Sequence, residues 1–141
     1  MWVSGQTGAM SNPESENSAE SIELTMSVGD WQIVDATVDN SVDIAAEDGN
    51  HRVLDQGRRV RHAGWEAARL HPRSGEGLVG WPPTDDELSV TLPITAWRFV
   101  LDELHRWDRV EAEFEGNDQE RPESRSLAIA RFLAERIAGS S

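Results

Sequence analysis

The sequence has 141 residues, a formal net charge of −13 and no cysteine. That length holds one ordinary domain or two small, interdependent ones, and the lack of cysteine excludes disulfides, thiolate metal ligands and cysteine nucleophiles. No apolar run approaches the roughly 20 residues of a membrane span, and Met1–Met10 lack the basic and apolar regions of a signal peptide, so a cytoplasmic location without membrane contact is expected. All 13 basic side chains are Arg, a bias that GC-rich codons explain and that points to a GC-rich bacterium or its phage. An acidic surface repels nucleic-acid phosphates and anionic lipid at long range. A protein is therefore the expected partner, and nucleic acid is not.

Residues 1–21 are mostly Gly, Ser, Asn, Pro and Glu. They carry too little apolar surface to offset chain entropy, so a disordered N-terminal tail is expected. Met10 opens M-S-N-P-E-S-E-N and reads as an alternative start.

Residues 22–70 form a first unit. Ile22, Leu24 and Met26 alternate with Glu23 and Thr25, the period of a strand with one buried face. Gly29 and Asp30 mark a turn or helix start. From there Trp31, Val34, Val38, Val42 and Ala45 recur at spacings of three and four, one face of a helix. Val, Thr, Asp and Asn are poor helix formers, so this stretch taken alone fits two short strands equally well. A second helix uses Val60, Ala63, Ala67 and Leu70.

Residues 71–87 read H-P-R-S-G-E-G-L-V-G-W-P-P-T-D-D-E, and three Gly with three Pro make them a linker. Leu78, Val79 and Trp81 are expected to tuck against a neighbouring unit. Residues 75–80, G-E-G-L-V-G, match the dinucleotide fingerprint letter for letter. That chemistry needs a preceding strand and a following helix N-terminus, and Trp-Pro-Pro follows here, so the match carries no site.

Residues 88–139 form a second unit that repeats the first. At an offset of 66, Thr25 meets Thr91, Trp31 meets Trp97, Val34 meets Val100 and Val38 meets Leu104. After one inserted residue the offset is 67, pairing Val60 with Leu127, Ala63 with Ala130, Trp65 with Phe132 and Leu70 with Ile137. The second copy is the clearer helix: Trp97, Val100, Leu101, Leu104, Trp107 and Phe114 make an apolar stripe, and Asp102 and Arg106 are placed as an exposed i,i+4 pair. Pro93 ends the strand and Thr95 is a candidate helix cap. Gly116-Asn117 closes that helix, and Ser124 or Ser126 caps the last one. Since a lone strand over two helices leaves its apolar face uncovered, two copies are expected to pair strands. The expected fold is mainly α, of the α+β class: a tandem duplicated strand–helix–helix unit, with a two-stranded antiparallel ribbon and four helices in a pseudo-twofold arrangement. Residues 22–139 then make one cooperative domain, and because the duplication mimics a homodimer a monomer is possible, the oligomeric state being left open by the sequence.

Chemical motifs are sparse. His51, His62, His71 and His105 form no helical i,i+4 pair and no H-E-x-x-H, so no metal site is expected. No G-x-S-x-G nucleophile turn occurs. No catalytic residue and no cofactor are assigned. Residues 52–73 break the acidic pattern with six Arg against Asp55 and Glu66 alone; Arg58, Arg59 and Arg61, with the linker's Trp81, are the candidate interaction residues.

Strand–helix–helix order, with S-V-T-L-P before the first helix, resembles the ribbon–helix–helix DNA-binding family. There two units pair strands and insert the ribbon into the major groove. The resemblance implies that Glu23, Thr25, Ser89 and Thr91 face the bases. The chain departs from that family in a first helix about twice the expected length, a long loop between the helices, and its acidic surface. The leading expectation is a non-enzymatic, acidic protein-interaction or regulatory module, ahead of a tandem ribbon-type DNA-binding regulator and an unrecognised hydrolase.

Overall fold

The structure, a computed structural model, describes residues 20–114 and 124–140. Strand β1, Ser21–Ser27, buries Leu24 and Met26 and exposes Ser21, Glu23 and Thr25. Strand β2, Glu87–Pro93, buries Leu88, Val90 and Leu92 and exposes Glu87, Ser89 and Thr91. The two pair antiparallel, from Ser21 opposite Pro93 through Leu24 opposite Val90 to Ser27 opposite Glu87. The alternation places every large apolar side chain on the face that meets the helices, leaving a polar face outward.

Each strand runs directly into a 21-residue helix: α1, Val28–Asp48, after β1 and α3, Ile94–Phe114, after β2. Ser27 caps α1, its hydroxyl accepting from the Asp30 N–H at 3.0 Å. Two more N–H groups of that helix start, Val28 and Gly29, donate to the carbonyls of Asp86 and Thr84 at 2.8 and 3.0 Å, so the end of the linker completes the cap. The helical alternative for residues 31–45 is the one adopted, because Trp31, Val34, Val38 and Ala45 are all buried on one side and tertiary packing outweighs the weak propensity.

Helix α1 ends at Gly49, at φ 74°, a left-handed position that favours Gly. Asn50 then caps α2, His51–Leu70. The turn between the helices is thus two residues, shorter than the long loop expected, and α2 begins about nine residues before its first apolar marker, Val60. The reason lies on its buried face, Leu54, Gly57, Val60, Gly64 and Ala68, where glycines stand in for large residues. A Cβ at Gly57 would collide with Val42, and one at Gly64 with the Trp31 indole. Leu70, expected in the core, is 70% exposed, since the helix turns it off that face in its last position.

After the linker and β2, the amide of Ile94 donates to the Glu20 carbonyl at 2.9 Å. Glu20 and Ser21, expected in the tail, therefore join the ribbon, and residues 1–19 of the expected tail lie outside the described residues. Helix α3 starts at Ile94, so Thr95 sits within its first turn instead of capping it. The last helix, α4, runs Arg125–Ser140; Ser124 caps it, accepting from the Leu127 N–H at 3.1 Å and donating to Asp108 at 2.8 Å. The expected closure at Gly116-Asn117 and the side chain of Phe114 lie outside the described residues.

Trp31 and Trp97 are both fully buried beneath the ribbon, their rings edge to face with centroids 6.0 Å apart. The core grows around them from Leu24, Val90, Val34, Val100, Leu104 and Leu133. One buried polar seam joins α1 to α3: Ser41 donates to Glu103 at 2.5 Å and accepts from the Trp107 indole at 2.9 Å. Arg106 bonds Glu103 at 3.2 Å, taking its i,i+3 neighbour in place of Asp102.

Gly64→Ala tests the helix contact by its sign. Helix propensity alone would stabilise α2 by about 1 kcal/mol, whereas a methyl driven into the Trp31 ring costs about 1–3 kcal/mol. Urea denaturation should show net destabilisation; a gain would mean that the α1–α2 approach is looser than described.

Candidate interaction groove

Beside its buried stripe, α2 exposes Arg58, His62, Trp65 and Arg69. Their spacings of four, three and four set them along one face of the helix. Trp65 is 57% exposed, an uncommon position for so large an apolar surface.

The linker folds back beside this face. The Gly77 amide donates to the Trp81 carbonyl at 2.6 Å, Gly75 to Gly80 at 3.0 Å, and Trp81 to Leu78 at 3.0 Å. Arg73 ties the loop at both ends, to Glu76 at 3.0 Å and to Asp86 at 3.1 Å, and the Glu76 carboxylate raises its pKa above the ordinary arginine value. His71 contacts the Glu87 carbonyl at 3.1 Å. Within the loop Trp81 packs partly against the core, as expected of it. Leu78 and Val79 do not tuck in: they are 68% and 93% exposed. Val79 holds φ 55°, in the left-handed region, where a β-branched side chain is strained by about 1–3 kcal/mol.

Between α2 and the loop lies a groove of about 400 Å³, with Trp65 and Trp81 on its walls and Ala68, Val79 and Gly80 between them. A second depression of about 340 Å³, lined by Val42, Arg58 and Arg61, adjoins it. His62 and Trp65 line both, so Trp65 is the ridge between two hollows.

The charges here divide into held and free. Arg61 bonds Asp35 at 3.0 Å and Asp39 at 2.7 Å, and its guanidinium carbon stands 5.9 Å from the Trp65 ring centroid. The Asp35 hydrogen bond raises its pKa, more than burial lowers it. Arg69 pairs with Glu66 at 2.8 Å, which holds the Glu66 carboxyl below its ordinary range. Arg58 and Arg59 make no hydrogen bond or ion pair among the described residues.

Of the residues singled out from sequence, Trp81 lines the larger hollow and Arg58 the smaller one. Arg61 also lines the smaller hollow, but as a strut fixed to α1 rather than as a free cation. Arg59 is exposed and lines neither. Glu23, Thr25, Ser89 and Thr91 share the outward face of the ribbon, where the Thr25 and Ser89 hydroxyls bond at 2.7 Å and Glu23 stands opposite Thr91. The strands add Glu87 to that face and no Arg, and Arg125, which lines a depression beside Thr25, is paired with Asp30, so among the described residues the face opposes phosphate. Sequence reasoning missed Trp65, His62 and Val79. The repeat register places Trp65 with Phe132, which packs half-buried on the core. The overlooked signal is that Trp65 directly follows Gly64, one residue off the Gly57–Val60–Gly64–Ala68 stripe.

His62, Glu66 and Ser74 line the larger hollow together, yet no hydrogen bond joins any two of them and Glu66 is occupied by Arg69. The short Ser41–Glu103 contact lacks access, Ser41 being 1% exposed. Neither set has the nucleophile–base geometry of acyl transfer. Among the described residues no three His, Asp or Glu side chains gather as metal ligands, and no helix is long and apolar enough to cross a membrane. No protein-family model, curated protein or solved structure matches the chain.

Arg61→Ala should cost about 1 kcal/mol, the scale of a partly buried charge-assisted pair, while Arg58→Ala stays within about 0.5 kcal/mol. Chemical denaturation of the two variants reads the contrast directly. The Glu66–Arg69 pair gives a pH signature. Its carboxyl titrates lower folded than unfolded, so its stabilisation is present above the unfolded value of about 4.3 and is lost as pH falls through the depressed folded one. A small difference in Tm between the wild-type protein and Glu66→Gln should exist at neutral pH and close in acid.

Proposed function

We propose that the chain is a non-enzymatic protein-interaction module whose docking surface is the pair of hollows around Trp65. The single observation that carries this reading is the projection of Trp65 and Val79 into solvent, the latter from a strained backbone, beside the half-buried Trp81. Apolar side chains gathered into one exposed patch, as Trp65, Val79 and Trp81 are around a single groove, mark interaction sites, and exposed Trp flanked by Arg is the composition of interface hot spots. A location in the cytoplasm, as expected from the sequence, belongs to the same reading.

The duplication also belongs to it. Strands of seven residues and first helices of 21 match between the halves. At the offset of 66 Leu24 and Val90 are equivalents, and they face each other at the centre of the ribbon, as a twofold axis there requires. Trp31 and Trp97 are the fourth residues of their helices and meet in the core. Within that pattern the groove marks where the halves diverge, since the position of exposed Trp65 is filled by half-buried Phe132 in the other half. The ribbon-type DNA-binding reading has the outward hydroxyls in its favour, but Glu23 and Glu87 on the same face make it the weaker one.

Affinity capture from the source organism's lysate, quantified for the wild-type protein against Trp65→Ala and Trp81→Ala, tests the docking reading. A partner should be enriched by the wild-type chain, fall at least about tenfold with either variant, and bind the purified protein directly. A partner held equally by all three proteins places the docking surface elsewhere.

A further inference from the structure

We infer that the groove takes an acidic protein segment bearing one large apolar side chain, which enters between Trp65 and Trp81 while its carboxylates meet Arg58 and Arg59. The inference rests on the docking reading above and adds the chemistry of the occupant. The molecule carries −13 overall, yet α2 holds five Arg against Asp55 and Glu66. Two of those five, Arg61 and Arg69, are neutralised within the chain. Arg58 on the wall of the adjoining hollow and Arg59, next to it in the chain, are left unpaired among the described residues, on a molecule whose net charge is strongly negative. A carboxylate is the group that such unspent guanidinium forks accept best.

Hydrocarbon suits the remainder of the site. Ala68, Val79 and the two indoles offer no charge, and burying one Leu-sized or Phe-sized side chain among them supplies the non-directional part of binding. From Arg58 to Arg69 the face runs roughly 16 Å at 1.5 Å per residue, the span of about five residues of extended chain at 3.3 Å each. The site therefore fits a short linear segment.

A single-stranded nucleic acid also stacks on exposed aromatics beside cations. It needs a track of basic groups along its phosphates, whereas Arg58 is the one unpaired Arg on these walls, and the −13 body opposes a polyanion along its whole length. The short acidic segment is favoured on both counts.

The test uses the full chain, ¹⁵N-labelled, with the Trp65 and Trp81 indole N–H signals assigned from Trp→Phe variants. Three short peptides are titrated: Asp, Glu and Ser around a central Leu-Phe pair, the same peptide with Lys for each acid, and the acidic peptide with Ser for Leu-Phe. An oligothymidylate forms the fourth arm. The acidic Leu-Phe peptide should shift both indoles saturably, and the Lys and Ser versions should bind at least about tenfold more weakly. The double variant Arg58→Glu, Arg59→Glu should lose a similar factor while staying folded, because neither side chain has a partner to lose and only the added net negative charge weighs on its thermal unfolding. Tighter binding of the Lys peptide or of the oligonucleotide overturns the inference, as does an acidic peptide that moves neither indole. A captured partner that is lost with Trp65→Ala but kept by the double Glu variant also overturns it, while leaving the docking reading in place.

Discussion

The edge-to-face contact of Trp31 and Trp97 is the point on which the architecture turns. An antiparallel ribbon sends its two strands out at opposite ends, so the helices that follow begin far apart. Each helix carries its indole on the fourth residue, and the two rings reach back beneath the ribbon to meet. Trp97 fixes its orientation through its N–H, which donates to the Ile22 carbonyl at 3.1 Å on the neighbouring strand. The Trp31 N–H has no such partner among the described residues, because that edge of its ring lies against the Gly64 backbone. Geometry of this kind adds about 0.5–1.5 kcal/mol to what area burial alone gives a ring pair. The unpaired donor costs about 1–3 kcal/mol, so the α1–α2 contact must repay it in dispersion.

Two unlike seams then join the remaining helices. Between α1 and α2 the fit is steric: Gly57 and Gly64 remove side chains so that Val42 and Trp31 can approach the backbone. Between α1 and α3 it is polar, with Ser41, Glu103, Trp107 and Arg106 satisfying one another where a carboxylate is nearly out of water. The first seam gains from closeness and the second from complete pairing. The first of them sets α2 against α1, and the exposed stripe of α2 carries the groove.

The strands, the first helices and the core tryptophans were legible because alternation and the three–four spacing act on local sequence and the same pattern occurs twice. The start of α2 was not legible, since its first buried positions include Gly57, and a missing side chain leaves no apolar mark. The register also misled at Trp65 and Leu70, for residues matched in sequence need not share an environment, and glycines at 57 and 64 set how α2 meets α1. Arg58 and Trp81 could be picked out by composition. Arg61 could not be separated from Arg58, because Asp35 and Asp39, which hold it, lie a full helix earlier in the chain. Val79 escaped because its exposure follows from a backbone angle that no residue preference announces.

The position of free Arg58 on a strongly acidic body sets two electric fields of opposite sign against each other. Far from the protein a ligand experiences the total of −13; within a few ångströms of α2 it experiences the local guanidinium. At physiological ionic strength the screening length is about 8 Å, so the repulsive far field fades while the contact field survives. For an anionic ligand, modest salt would then assist approach before higher salt weakens the contact itself. A bulky acidic domain would still be held off by its own remaining charge, whereas a thin tail or loop could reach α2, so the thickness of such a ligand would matter as much as its sequence.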